Sequence, residues 1–356
     1  MNKENLVGIL LELSSTAGVS GDEAAAVKAA RSQFSLYTDE VKLDRFGNLI
    51  AMKKGEAPPS EKLTLALIAH IDEIGLMVTK IEPGGFLRFT SLGGIDARAL
   101  PGQAVVVHGK KTVEGVVGAT APHLLSPRDR AKTVPFEKLF IDTGYDDQTL
   151  NNYVRVGDTI SFIQKPLLLE TGKRITGKAL DNRAGVAALI FCAAELTGLR
   201  HQADLCFIAS LQEEVGLRGA ITAAYGLKPD LAVAVDVTHG DIPGVDEKKA
   251  FKLGDGPALG MGPNFHPPLS LAMQQTAKEY NLPFQVEPIP AHSGTDAWAF
   301  QVSREGIPTA LLSIPLRYMH TTVELLDIDD LISGGRLLAR LAARMNKSYL
   351  GELRGC

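Results

Sequence analysis

The sequence predicts an α/β protein that carries an inserted all-β module. Apolar runs of strand length at residues 63–69, 205–211, 231–235 and 309–314 alternate with helix-length segments, the pattern of a sheet covered by helices on both faces. Between residues 74 and 166 the texture changes to short strands at 76–81, 86–91, 103–108, 112–117 and 154–163, separated by glycine-rich turns and no long helix. A chain of 356 residues has room for both units. The expected division is 1–73 with 166–356 for the α/β unit and 74–165 for the insertion, a small barrel or sandwich.

Each element follows from local signals. Residues 3–14 read as an amphipathic helix, and Ser20 with Glu23 three places on fits a capping box opening a second helix to about residue 34. Residues 41–53 form a hairpin turning at Phe46-Gly47-Asn48, and Pro58-Pro59-Ser60 is a linker. The run 63–69 then delivers His70-Ile71-Asp72-Glu73 at its carboxyl end. After the insertion, Asp181-Asn182-Arg183-Ala184-Gly185 opens a helix to about residue 196. The run at 205–211 ends in Gln212-Glu213-Glu214-Val215-Gly216, and the strand 231–235 delivers Asp236. Helices are expected at 268–280 and 296–303, a last buried strand at 309–314, and a long closing helix over 325–345.

Composition excludes several classes of function. A formal net charge of −4 offers no basic footprint for nucleic acid, and no apolar run reaches the length of a membrane span. Cys192 and Cys206 sit in apolar runs and Cys356 stands apart, so three scattered thiols suggest a reduced, cytosolic chain without disulfides. The start of the chain lacks the apolar stretch of a signal peptide. Glycine-rich stretches such as Gly254-Asp255-Gly256 lack the spacing of a nucleotide-binding loop.

The chemistry gathers at element ends. His70, Asp181, Glu213-Glu214, Asp236 and His320 each follow or face an apolar run, and open α/β sheets react at the carboxyl edge of their strands. Taken singly, each residue has an ordinary explanation: a core histidine, a helix cap, a turn acceptor, a solvated pair of glutamates. Together they are a histidine and carboxylate set of the kind that holds zinc or a similar divalent ion. Two adjacent glutamates are costly to desolvate unless positive charge lies between them. Charge counting favours two ions, because Asp181, Glu214 and Asp236 with a bridging hydroxide balance two divalent cations. Asp72 is placed to accept the second N–H of His70 and fix its tautomer. Glu213 is left over as a general base.

These segments, with Ser293-Gly294-Thr295-Asp296-Ala297 and Arg317-Tyr318-Met319-His320-Thr321, occur in an order that resembles the M42 family of dinuclear metallo-aminopeptidases, the glutamyl and tetrahedral aminopeptidase group. The likeness runs from about residue 4 to 347, and the Asp-Asn-Arg and Tyr-Met-His segments make it specific. The resemblance implies a mixed-sheet catalytic domain of zinc-peptidase type with a PDZ-like β domain that drives assembly, often into a dodecamer. It implies one ion on His70 and Asp236, a second on Glu214 and His320, and Asp181 between them. It also implies Glu213 as the base and Asp72 as the partner of His70. The ions would be zinc or cobalt, with manganese a further option. The expected reaction is release of N-terminal residues from short peptides through attack of a metal-bound hydroxide. A carboxypeptidase, an N-acyl deacylase and an inactive scaffold are the competing readings.

Weaker candidates remain. His292 lies before the Gly294-Thr295-Asp296 turn and is expected near the substrate. His239 could face substrate, and Arg317 either supports the His320 loop or meets substrate. His108 and His123 are expected to be structural or interface residues of the insertion.

Overall fold

A computed structural model describes residues 1–130 and 132–354, so Cys356 lies outside the described residues. Four central strands run parallel in the order Asp204–Ser210, Thr64–His70, Leu231–His239 and Thr309–Arg317. Antiparallel strands flank them: Leu49–Lys53 and Glu40–Leu43 on one side, Glu324–Asp327, Arg174–Gly177 and Leu167–Leu168 on the other. The sheet is therefore mixed, with its parallel part at the centre. The parallel strands are apolar on both faces because helices cover both.

Alternation along each strand divides the interior in two. Leu65, Leu67 and Ala69 face a core shared with the helices Lys3–Ser15, Leu180–Glu195 and Ile328–Arg344. Ala66 and Ile68 face a second core built with Ala220 and Ala224 of the helix Arg218–Leu227 and Phe300 of the helix Asp296–Gln301. The helix Leu180–Glu195 is almost wholly buried between the sheet and Ile328–Arg344, which explains why its sequence is apolar all round rather than striped.

Six antiparallel strands close into a separate barrel, in the order Gly75–Ile81, Phe86–Leu92, Phe140–Asp142, Thr112–Gly118, Ala104–His108 and Thr159–Phe162. Inward-pointing Leu76, Val78, Leu87, Val105, Val107, Ile141 and Ile160 fill its core. Closure leaves no unpaired edge along the barrel.

Several local expectations differ from the structure. Ser20 does not cap a helix; Ala24–Phe34 begins after Glu23, and the Ser20 hydroxyl instead donates to Asp72 Oδ2 at 2.6 Å. The barrel strand Phe140–Asp142 has only three residues, too short to announce itself by alternation. The strand beginning at Leu231 continues through Asp236 to His239, so Asp236 lies within it. The expected helix over 325–345 is a strand, Glu324–Asp327, followed by the helix Ile328–Arg344. Asp327 causes the break: its side chain accepts the Asp329 N–H and caps the helix.

Candidate metal centre

Strand register brings the site residues level. Ser210 pairs with His70, and Ala234 pairs with Ile68, so two residues further on Asp236 comes level with His70. Asp236 in turn pairs with Ser313. One row across four strands thus supplies His70 and Asp236 near the carboxyl edge of the sheet. The loop after Ser210 adds Glu213 and Glu214, and the loop after Arg317 adds His320.

Asp181 comes from the opposite direction. It and Asn182 depart from helical dihedrals at the start of Leu180–Glu195 (φ −76, ψ 102 and φ −122, ψ 38), which turns the Asp181 side chain to the sheet edge. Asn182 fixes this turn by donating to Val235 O at 2.8 Å and accepting the Gly185 N–H at 3.0 Å. Gly185 is required there, since a Cβ would fall 2.3 Å from Asn182 Oδ1 and 2.9 Å from Ala69.

The donor atoms converge. Asp181 Oδ1 lies 3.1 Å from His70 Nε2 and Asp181 Oδ2 lies 3.3 Å from His320 Nε2. His70 Nε2 is also 3.9 Å from Asp236 Oδ1 and 3.9 Å from Glu213 Oε2, and His320 Nε2 is 3.6 Å from Glu214 Oε2. Three triads have ligand atoms within 4.8 Å of one another: His70–Asp181–Asp236, Asp181–Glu214–His320 and His70–Glu213–Glu214. These residues, with Thr238, His239, Glu287, His292, Ser293 and Met319, line a cavity of about 540 Å³.

The charges are arranged as a site that wants a cation. Burial pushes the Glu213 carboxyl up to about 10, with the negative charge of Asp236 adding to it and His70 opposing. Burial, then the charge of Asp181, lifts Glu214 to about 7. Burial also raises Asp236 well above the carboxylate range. The hydrogen bond to Asp181 takes His320 up to about 9. For His70, burial disfavours charge, but Glu213 and Asp181 outweigh it and raise the imidazole. Protons on the carboxyls and imidazoles relieve a crowd of negative charge that divalent cations would neutralise instead.

A buried frame holds these groups. Asp72 Oδ1 accepts the Glu213 N–H at 3.0 Å, while Oδ2 accepts the Glu214 N–H at 3.2 Å. Asp72 Oδ1 also stands 3.5 Å from His70 Nδ1. Glu324 accepts the N–H groups of Asp181 and His320. Asp296 Oδ2 accepts a short hydrogen bond from the Ser210 hydroxyl. Beneath the frame, Glu73 accepts both from Lys178 Nζ at 2.6 and 2.7 Å and from the Gly18 N–H at 2.9 Å.

The weaker sequence candidates separate. His239 and His292 line the cavity; His292 Nδ1 accepts the Gly294 N–H at 2.9 Å and its ring lies 4.9 Å from that of Trp298. Arg317 does not line this cavity and donates to Asp241 Oδ1 at 2.7 Å. His108 bonds Ser161 within the barrel, and His123 lies exposed in that module. Sequence reasoning gave no role to Glu73, Asp296, Glu287 or Glu324. Glu73 and Asp296 stood in segments that had been noticed; the other two had no signal of their own.

Comparison with known proteins agrees with this geometry. A sequence model described as M42 glutamyl aminopeptidase matches residues 47–337. The chain is 37% identical over 327 residues to the lysyl aminopeptidase of Pyrococcus furiosus, covering 90% of this chain and 92% of that protein. The fold superposes on the TET aminopeptidase of a marine sediment archaeon (Thaumarchaeota archaeon SCGC AB-539-E09) with a TM-score of 0.93 and 31% identity, covering 99% and 100% of the two chains. It matches the Pyrococcus horikoshii TET1 peptidase, which can assemble into a tetrahedron or a large octahedral shell, with a TM-score of 0.84 and 32% identity over 96% and 100%. With a family match across most of its length and a mixed sheet whose edge gathers histidines and carboxylates, the chain belongs to the M42 glutamyl aminopeptidase family and is a hydrolase of the aminopeptidase type.

Proposed function

We propose that the chain is a dinuclear metal-dependent aminopeptidase that removes N-terminal residues from short peptides. The observation that carries this reading is the Asp181 carboxylate, whose two oxygens face the two histidines at 3.1 and 3.3 Å. A carboxylate shared in this way suits two ions. His70 and Asp236 would hold one, Glu214 and His320 the other, with Asp181 common to both. The donor set of imidazoles and carboxylates without thiolate fits zinc, cobalt or manganese. When bound, the ions supply Lewis-acid polarisation of the peptide carbonyl and make a coordinated water more acidic.

The chain's own residues supply the rest. Glu213 takes a proton from the attacking water and returns it to the leaving amine. Asp72 orients Glu213 through its backbone N–H and His70 through Nδ1. The cavity beyond, lined by Thr238, Glu287, His292 and Met319, receives the first residue of the peptide. Residues 1–73 and 166–356 form the catalytic domain, and 74–165 form a PDZ-like module for self-association. Assembly of the P. horikoshii relative into closed shells supports a homo-oligomer here, a dodecamer being the expected size. No helix among the described residues is long and apolar enough to cross a membrane.

The test is hydrolysis of aminoacyl-p-nitroanilides with free and N-acetylated amines, after chelation and after return of cobalt or zinc. Metal-restored release from free-amine substrates alone is the expected result. Cleavage of the blocked substrates would move the assignment to a deacylase, and no hydrolysis with two ions bound would overturn it.

A further inference from the structure

Glu324 is fully buried, yet it makes its hydrogen bonds to main chain rather than to a cation. Its Oε1 accepts the His320 N–H at 2.9 Å and its Oε2 accepts the Asp181 N–H at 3.0 Å. The two donors come from distant parts of the chain: Glu324 is 4 residues from His320 and 143 from Asp181. One carboxylate therefore spans the gap between the helix start that presents Asp181 and the loop that presents His320.

The loop needs such a tether. Tyr318 and His320 both have left-handed backbones, with φ of 59° and 60°. A non-glycine residue pays roughly 1 kcal/mol or more in that region and stays there only when its surroundings hold it. Thr321 contributes by donating its hydroxyl to Tyr318 O at 2.6 Å, but the only side chain that reaches the His320 N–H among the described hydrogen bonds is Glu324. Glu324 is itself anchored in the sheet, where it opens the strand Glu324–Asp327 and pairs with Gly177. That pairing fixes Glu324 against the segment leading through Lys178 to Asp181.

From this geometry we infer that Glu324 is a positioning residue that sets the spacing of His320 and Asp181 before any ion arrives, and so governs the site formed by Asp181, Glu214 and His320. The inference rests on the two-ion reading given above. His70 and Asp236 take their positions from strand register and from Asp72, without Glu324. Loss of the tether therefore acts unequally on the two sites. Asp181 keeps its contact with His70 and its Asn182 anchor, whereas His320 loses the bond that holds its backbone.

Stepwise zinc or cobalt binding, measured by titration into chelated protein for the wild type and Glu324→Gln, tests this. The carboxamide preserves size but can accept from only one of the two N–H groups. The expected result is one ion bound 10–100-fold more weakly and the other unchanged within about threefold, a range typical of lost groups around metal ligands. Equal weakening of both ions, or no change, overturns the inference. A wild type that binds no ion overturns the two-ion reading itself and the inference with it. A second measurement needs no variant: amide hydrogen exchange on the chelated wild type. Protection of the Asp181 and His320 amides in the absence of metal is expected; exchange at open-loop rates would show that the ions, not Glu324, order them.

Discussion

Asp72 and Glu213 are joined through the backbone: the buried Asp72 carboxylate accepts the Glu213 N–H at 3.0 Å, while the Glu213 side chain points to His70 Nε2, 3.9 Å away. A residue that deals with the strand end at 70 and the loop at 213 at once sets the distance between His70 and the proposed base, Glu213. Replacing Asp72 with Asn presents an amide N–H where N–H groups now donate. Activity should fall about 10–100-fold and stability by about 1–3 kcal/mol. Steady-state kinetics and denaturant unfolding on the same preparation check both; an active, stable Asp72→Asn protein would mean that the frame does not orient the site.

Glu213→Gln keeps the shape of the proposed base and removes its proton acceptor. A fall of about 10²–10⁴-fold in kcat is expected, with ion binding retained, because general base catalysis contributes on that order. Metal content by elemental analysis separates this outcome from loss of the centre. A variant with near wild-type kcat would assign the base elsewhere.

Removing metal should make stability depend on pH with a defined sign. Burial raises Glu214 from the ordinary value of 4.5 to about 7 and raises Glu213 further. A carboxyl with a raised folded pKa contributes stability that is present below the ordinary carboxylate range and is lost as pH climbs through the folded value. Chelated protein should therefore lose melting temperature from pH 4.5 through about 7 as Glu214 ionises, and onward toward about 10 as Glu213 follows. Zinc or cobalt at a hundred times its dissociation constant should restore about 2.7 kcal/mol, most visibly at the upper end of that window. Calorimetric scans across the range, with and without ion, would expose a flat profile if these carboxyls do not carry the effect.

Glu73 and Lys178 form an ion pair with both partners buried, at 2.6 Å. Removing only the carboxylate strands the ammonium, so Glu73→Leu should cost about 3–5 kcal/mol. Glu73→Leu combined with Lys178→Met should recover part of that loss, because the ammonium is no longer stranded while the buried Arg183, 3.9 Å from the same carboxylate, still loses its counter-charge. Chemical denaturation of the two single variants and the double variant completes the cycle. Additive losses would argue against a coupled pair.

How much of this could be seen in advance depends on where the information lies. The parallel core was legible because strands buried on both faces must be apolar throughout, and the residues just past each run, His70 and Glu213 among them, could be read as edge groups. Asp236 was placed one step too late, since the strand does not stop where its apolar run pauses. The all-β insertion was legible from its glycine-rich turns, but the choice between barrel and sandwich was not, and the three-residue strand Phe140–Asp142 is too short to show a period. Glu324 escaped notice for a different reason. The residues after it flow into a helical pattern, and a helix read from 325 leaves that glutamate as an ordinary loop residue ahead of the first turn. Only pairing with Gly177 and Leu316–Arg317 turns it into a strand and its side chain inward. Ser20 was misread in the same way, since a hydroxyl three residues before a glutamate suits a cap until tertiary contact with Asp72 claims it.

The site residues are drawn from widely separated parts of the chain, from His70 to His320, with the barrel threaded between the first donor and the second. During synthesis, therefore, no emerging fragment can hold the assembled centre. Until the segment carrying His320 has left the ribosome, the triad of Asp181, Glu214 and His320 is incomplete, and Asp181 lacks one of the two histidines it faces. A peptide-cutting enzyme built this way acquires its activity only once the segment carrying His320 has joined the sheet.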